Sequence, residues 1–232
     1  MLADLTATRQ RAIIIAAGEG TRWNDHLGIP KHFIEIDGEP IIRRTVRLLN
    51  ENGVGDVYVV APDDDRYRID GSAMFVPQLR SRCDENCGAD KFLSSEELWL
   101  SDGRTIVLYG DVYFTDDAIK TITTYSHIDW LLFARPYGSL ITGCPWGECF
   151  AQSFFNEHIP EHVRTIRCAV DLHHDRKIGH PSGWQHYRAM TGLPVEYWDR
   201  PFYGDRLVRI DDWTEDFDSK EDYETFMRRR AA

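Results

Sequence analysis

Residues 12–17 read Ala-Ile-Ile-Ile-Ala-Ala, a short unbroken apolar run dominated by β-branched side chains. A strand with no polar alternation belongs where both of its faces are buried, as in a parallel sheet covered by helices. The run stops at Gly18-Glu19-Gly20-Thr21-Arg22. Glycine there admits positive φ and lets backbone N–H groups come close to an anion. Arg22 and, after Pro30, Lys31 bring two positive charges to the same strand mouth. The outline is that of a triphosphate cradle.

Two familiar phosphate loops are excluded by spacing. The chain has no G-x-x-x-x-G-K-[ST] string, and Trp23 stands where the dinucleotide fingerprint G-x-G-x-x-G/A needs its third small residue. A bare G-x-G is as often a structural turn as a ligand loop, so the residues that follow it decide.

They carry the pattern of a covered parallel sheet. Residues 33–36 read as a short strand turned at Asp37-Gly38, and Pro40 opens a helix with Ile41, Ile42, Thr45, Val46 and Leu49 on one face. Arg43, Arg44 and Arg47 share the other face and are read as solvated, not phosphate-binding. Residues 50–55 end that helix and 57–60 form the next buried strand, which makes a βαβ unit. Further on, the spacing predicts a loop over 63–71, a strand over 73–79 and a loop over 80–90. A helix over 91–100, a strand over 105–113 and a helix over 116–125 capped by Thr115 follow. Then come strands over 130–136 and 147–155, a helix over 156–176, a short helix over 184–190 and a strand over 207–210. The capping box Ser219-Lys220-Glu221-Asp222 opens a last helix, whose basic end at 228–230 complements its dipole.

Three carboxylates stand out against this frame. Asp111 ends the apolar strand over 105–113, and ligands of open α/β sheets gather beyond the carboxyl ends of strands. It is expected at the mouth that holds Arg22 and Lys31. Asp216 and Asp218 are two apart in an extended stretch and point to one side. Spacing alone leaves a solvated acidic turn as an equal reading of that pair. The triple aspartate at 63–65 reads as a loop, and His173-His174-Asp175 as surface, because adjacent side chains diverge on a helix.

AAGEGTRW at 16–23, IPK at 29–31 and IDGEPIIRRTV at 36–46 together resemble the N-terminal signature of the sugar-phosphate nucleotidyltransferases and their MobA-like NTP transferase relatives. LYGDV at 108–112 and DFDSKEDYE at 216–224 are similar to that family's metal-binding segments. The resemblance implies a three-layer α/β/α Rossmann-like, GT-A-like fold around a mixed, mostly parallel sheet. It implies one domain, with a nucleotide-binding half at 12–134, a variable acceptor-binding region at 135–205, and a metal-ligand segment and helix at 206–232. Arg22 and Lys31 become catalytic cations. Ala16, Ala17, Gly18, Glu19, Gly20, Thr21, Gly88, Asp90 and Asp111 become nucleotide-binding, and Asp111, Asp216 and Asp218 become ligands of Mg²⁺. The implied partners are an NTP and a phosphorylated small-molecule acceptor, with a sugar 1-phosphate foremost and a nucleoside-diphosphate sugar as product. A glycosyltransferase of the related fold is a second class, against which Tyr113 replaces the second Asp of D-x-D. A non-catalytic nucleotide sensor is a third, and the joint retention of five charged site residues argues against it.

At 232 residues the chain has room for one α/β domain and an ample core. A formal charge of −11 leaves no basic footprint for nucleic acid or anionic membrane. No apolar run approaches spanning length, and the first residues lack the apolar segment of a signal peptide. Five cysteines without zinc-ribbon spacing suit reduced thiols. A cytoplasmic protein is expected, with room left for a homodimer.

Overall fold

The computed structural model of the protein describes residues 9–18, 22–23, 26–77, 90–125, 129–179, 181–196 and 204–232. Its strands are β1 (Gln10–Ile15), β2 (Glu35–Ile36), β3 (Glu39–Pro40), β4 (Val57–Val60), β5 (Ala73–Phe75) and β6 (Arg104–Tyr109). They continue with β7 (Val112–Tyr113), β8 (Leu131–Arg135), β9 (Glu148–Phe155), β10 (Leu207–Arg209) and β11 (Glu215–Asp216). The helices are α1 (Ile41–Glu51), α2 (Asp90–Leu93), α3 (Asp116–Thr124), α4 (Ile159–His174), α5 (Gly183–Met190) and α6 (Lys220–Arg230).

Seven strands make one sheet in the order β10-β8-β9-β6-β1-β4-β5. β9 runs antiparallel to both of its neighbours, and every other pair is parallel. The apolar run is β1, with a parallel neighbour on each side. Ala12 and Ile14 pack with Ile42, Val46 and Leu49 of α1 and Ile119 and Ile122 of α3, while Ile13 faces Val107, Leu132, Ile166 of α4 and Tyr187 of α5. Each buried Ile or Leu contributes roughly 1.5–3 kcal/mol relative to exposure. Two covered faces explain why the strand lacks alternation. A third apolar cluster joins Trp23, Ile34, Ile36 and Ile41 to Tyr113, Phe217 and Phe226. It ties α6 to the loop between β1 and β2. No described helix is long and apolar enough to cross a membrane.

Several expected elements are cut short, each for a local reason. The helix expected over 91–100 is only α2 followed by a 3₁₀ turn at Glu96–Leu98. Ser94 and Ser95 hydroxyls donate back to the Lys91 and Phe92 carbonyls at 2.6 and 2.8 Å, and Ser95 Oγ accepts from Trp99 Nε1 at 3.0 Å. Serine hydroxyls competing for helical carbonyls end the helix there. Phe33 belongs to a 3₁₀ turn at Lys31–Phe33, so the strand after it shrinks to β2 paired with β3. The strand expected over 105–113 breaks at Gly110-Asp111 into β6 and β7. The helix expected over 156–176 begins as a 3₁₀ turn and becomes α-helical at Ile159, with Pro160 in its first turn. The strand expected over 73–79 ends at Phe75, since Val76 and Pro77 lie outside it, and 78–79 fall outside the described residues.

Candidate active site

The site is assembled at the carboxyl ends of β1 and β6. Gly110 follows β6, and its N–H donates to the Ile15 carbonyl at 2.9 Å. A Cβ at Gly110 would stand 2.7 Å from that oxygen and 3.1 Å from Ala16 Cβ. Only glycine fits this crossing, and the turn it allows sets Asp111 beside the loop that leaves β1. β7 then pairs antiparallel with β11, placing Asp216 opposite Val112, and the Phe217 N–H donates to the Asp111 carbonyl at 3.2 Å. Phe217 is fully buried in the third apolar cluster. Strand alternation therefore turns Asp216 and Asp218 together to the opposite side, toward Asp111.

One carboxylate oxygen from each of Asp111, Asp216 and Asp218 lies within 4.8 Å of the others. Lys31, held in its turn after Pro30, pairs with Asp111 and stands 3.5 Å from Asp218. Arg22 pairs with Asp218 at 2.6 Å. Burial by itself would lower the Lys31 ammonium, but Asp111, Asp216 and Asp218 outweigh it and hold its pKa above the ordinary lysine range. Burial would likewise raise Asp111, and Lys31 outweighs it, keeping that carboxyl below the usual value. Asp216 goes the other way: burial, then the charges of Asp111 and Asp218, push it well above the carboxylate range. Its Oδ1 is buried with no hydrogen-bond partner among the described residues. Three converging carboxylates, one of them orphaned and destabilised as an anion, form a donor set suited to a hard divalent cation.

Sequence reasoning thus placed Arg22, Lys31, Asp111, Asp216 and Asp218 in one mouth, and the structure brings them together. Ala16, Ala17 and Gly18 lead into it from β1. Glu19, Gly20, Thr21 and Gly88 lie outside the described residues, and Asp90 is described only by its backbone at the start of α2. Among the described residues no other three-membered group of His, Cys, Asp or Glu converges, and His173-His174-Asp175 is not such a group. Of the α1 arginines expected to be solvated, Arg43 and Arg47 are exposed, but Arg44 is not, because its guanidinium lies over the Tyr113 ring and its side chain is only 16% exposed. Arg47 pairs with Glu39 and Glu51 at 2.7 and 3.0 Å, and Arg44 donates to the Phe114 carbonyl at 3.1 Å.

Other functional candidates escaped the sequence. A Cβ at Gly18 would meet Lys91 Nζ at 3.4 Å, so a further ammonium overlooks the glycine loop. The only hint of it was its place just after Gly88 and Asp90, which the resemblance implies bind the nucleotide. Arg135 and Glu215 form a buried pair at 2.6 Å behind β11, with Arg135 also donating to the Thr214 carbonyl at 3.1 Å. Glu148, at the start of β9, has its carboxyl pushed up to about 8 by burial and by Asp218. His32 is buried, hydrogen-bonds Tyr67 Oη through Nδ1 at 2.9 Å, and is pushed down to about 4 by that burial.

Residues 12–132 match the MobA-like NTP transferase domain, a span that contains Arg22, Lys31 and Asp111. The chain belongs to this family. As a MobA-like NTP transferase domain it has curated relatives over shorter stretches. It is 45% identical over 58 residues to the bifunctional IPC transferase and DIPP synthase of Thermococcus kodakarensis, covering 25% of this chain and 12% of that protein. It is 30% identical over 113 residues to the 2-C-methyl-D-erythritol 4-phosphate cytidylyltransferase of Saccharopolyspora erythraea, covering 48% of each. The matches thus span less than half the length of these relatives. The solved CTP:phosphocholine cytidylyltransferase of Streptococcus pneumoniae shares the fold, with a TM-score of 0.54 at 16% identity over 96% of this chain and 99% of that one.

Proposed function

We propose that this domain transfers a nucleoside monophosphate from an NTP to a phosphorylated small-molecule acceptor, a sugar 1-phosphate first among them, with Mg²⁺ as cofactor. The observation that carries the reading is the meeting of Lys31 and Arg22 with Asp111, Asp216 and Asp218 at the ends of β1 and β6. The nucleoside triphosphate lies over the loop that begins at Gly18. An acceptor phosphate oxygen attacks the α-phosphorus, a new P–O bond forms, and the bond to the β-phosphate breaks to release pyrophosphate. That oxygen is already ionised at neutral pH, so no general base is required. Positioning and charge neutralisation are what the site must supply.

Lys31 neutralises the α-phosphate and the incoming acceptor. Its charge is fixed, because the surrounding carboxylates hold it protonated far above neutral pH. Arg22, with 69% of its side chain exposed, is free to swing from Asp218 onto the β- and γ-phosphates. Asp111, Asp216 and Asp218 hold the metal, which supplies charge compensation to phosphate oxygens when bound. The family relatives include cytidylyltransferases by name, so CTP is the nucleotide to try first. The test incubates the protein with each NTP, Mg²⁺ and a panel of sugar 1-phosphates and other phosphorylated alcohols. Acceptor-dependent pyrophosphate release is the expected result, and consumption of a nucleotide sugar without pyrophosphate would turn the reading to glycosyl transfer.

A further inference from the structure

We propose that Lys31 and Arg22 are built-in counterions for the three carboxylates, so that a divalent cation and a triphosphate enter together and each is disfavoured alone. This rests on reading the mouth as the nucleotide site, and it adds a rule about how that site fills.

The groups expected to grip phosphate are already engaged by the groups expected to grip metal. Lys31 is 8% exposed, pairs with Asp111 and lies 3.5 Å from Asp218 Oδ1. Arg22 Nη2 sits 2.6 Å from the same Asp218 oxygen. Of the three acids, only Asp216 keeps a buried oxygen without a partner.

A divalent ion arriving by itself competes with Lys31 for Asp111 and with Lys31 and Arg22 for Asp218. The Lys31 ammonium, enclosed and tethered to its 3₁₀ turn, would then face the ion with no anion to receive it. An uncompensated buried charge of that kind is strongly disfavoured. A triphosphate arriving by itself meets cations that are taken and carboxylates that repel it. When the two arrive together the pairs exchange. Both cations pass to phosphate oxygens, the carboxylates pass to the metal, and no charge is stranded. Such coupling is reciprocal by thermodynamic necessity.

The geometry predicts gains of affinity from losses of charge, which a simple assembly of ligands does not. With Mn²⁺ as the probe and no nucleotide, Lys31→Met in the whole chain binds the ion about tenfold or more tightly than the unaltered protein. With a non-hydrolysable α,β-methylene triphosphate and chelator present, Asp218→Asn frees Arg22 and removes the second carboxylate beside Lys31, which stays paired with Asp111, and it binds the analogue about tenfold or more tightly. Free Mn²⁺ is read by electron paramagnetic resonance and the analogue by calorimetry, so neither measurement needs turnover. Lys31→Met binding Mn²⁺ no better than the parent, or Asp218→Asn binding the analogue no better, overturns the proposal. If Lys31→Met fails to give a native melting curve, the Asp218→Asn measurement decides alone. A protein that releases no pyrophosphate with any substrate yet shows both gains keeps these counterions and loses the proposed reaction. Normal turnover without the gains does the reverse.

Discussion

The mouth beyond β1 and the interior beneath α4 and α5 both enclose basic side chains, yet they hold Lys31 and the histidines in opposite states. In the mouth, Lys31 stays charged because three carboxylates surround it. Beneath the helices, His162 and His186 are fully buried with ring centroids 4.7 Å apart, against Trp99, Trp130 and Phe154. Trp130 Nε1 donates to His162 Nδ1 at 3.1 Å, and His186 Nε2 lies 3.1 Å from Thr165 Oγ1. Burial pushes His186 down to about 3, and burial together with the neighbouring His186 and His158 pushes His162 well below its ordinary value. Enclosure alone discharges a group, whereas enclosure with opposite charges fixes it. Only the second arrangement keeps a charge in reserve for a ligand.

The contrast can be broken most severely from behind the mouth. Arg135→Met leaves Glu215, 1% exposed, without its cation, and should cost about 3–5 kcal/mol in urea denaturation. A midpoint within experimental scatter of the parent would mean the pair does not anchor β11. In the mouth itself, Lys31→Ala and Asp111→Asn should each leave a native melt and lower pyrophosphate release on the order of 10²–10³-fold. Near-parental turnover from either removes that residue from the chemistry.

The buried histidines predict acid lability. A histidine whose pKa falls on folding leaves the unfolded chain holding the extra proton between the two values. Stability is therefore complete above the ordinary value of 6.5 and declines as pH drops toward the folded one, which is about 3 for His186. At pH 5 the loss from His186 is on the order of 2 kcal/mol, and His162 acts in the same direction. His186→Phe should flatten the fall in melting temperature between pH 7 and pH 5, and an unchanged slope would assign the lability elsewhere. The smallest effect sharpens the boundary of the site. Arg43→Ala, on the exposed face of α1, should shift stability by less than about 0.5 kcal/mol and leave pyrophosphate release unaltered.

Much of this contrast was legible in the chain. The apolar run of β1, the helical face of α1, the Thr115 cap accepting from the Ala118 N–H at 3.0 Å and the Ser219 capping box all stand where their local chemistry puts them. Arg22, Lys31 and Asp111 could be set at one mouth from the ends of buried strands, whereas alternation put Asp216 and Asp218 only on a common side and the resemblance to the nucleotidyltransferases carried them to that mouth. What could not be read depends on partners distant in sequence. β7 and β11 are two residues each, too short for any periodicity, and they exist because Val112 and Asp216 find one another. Arg135 gains its meaning from Glu215, which stands opposite it from 80 positions downstream. The apolar strand β9 gave its location, but its antiparallel direction comes from the irregular stretch that precedes it. Ser94 and Ser95 ended a helix that the apolar spacing extended.

The pairing of β7 with β11 also fixes when the mouth is completed during synthesis. Val112 waits for a partner more than a hundred positions downstream, so a nascent chain exposes Lys31 and Asp111 long before Asp216 and Asp218 leave the ribosome. Until β11 docks against β7, the molecule holds Arg22, Lys31 and Asp111 without Asp216 and Asp218, and the five-membered constellation is complete only once that late pairing forms.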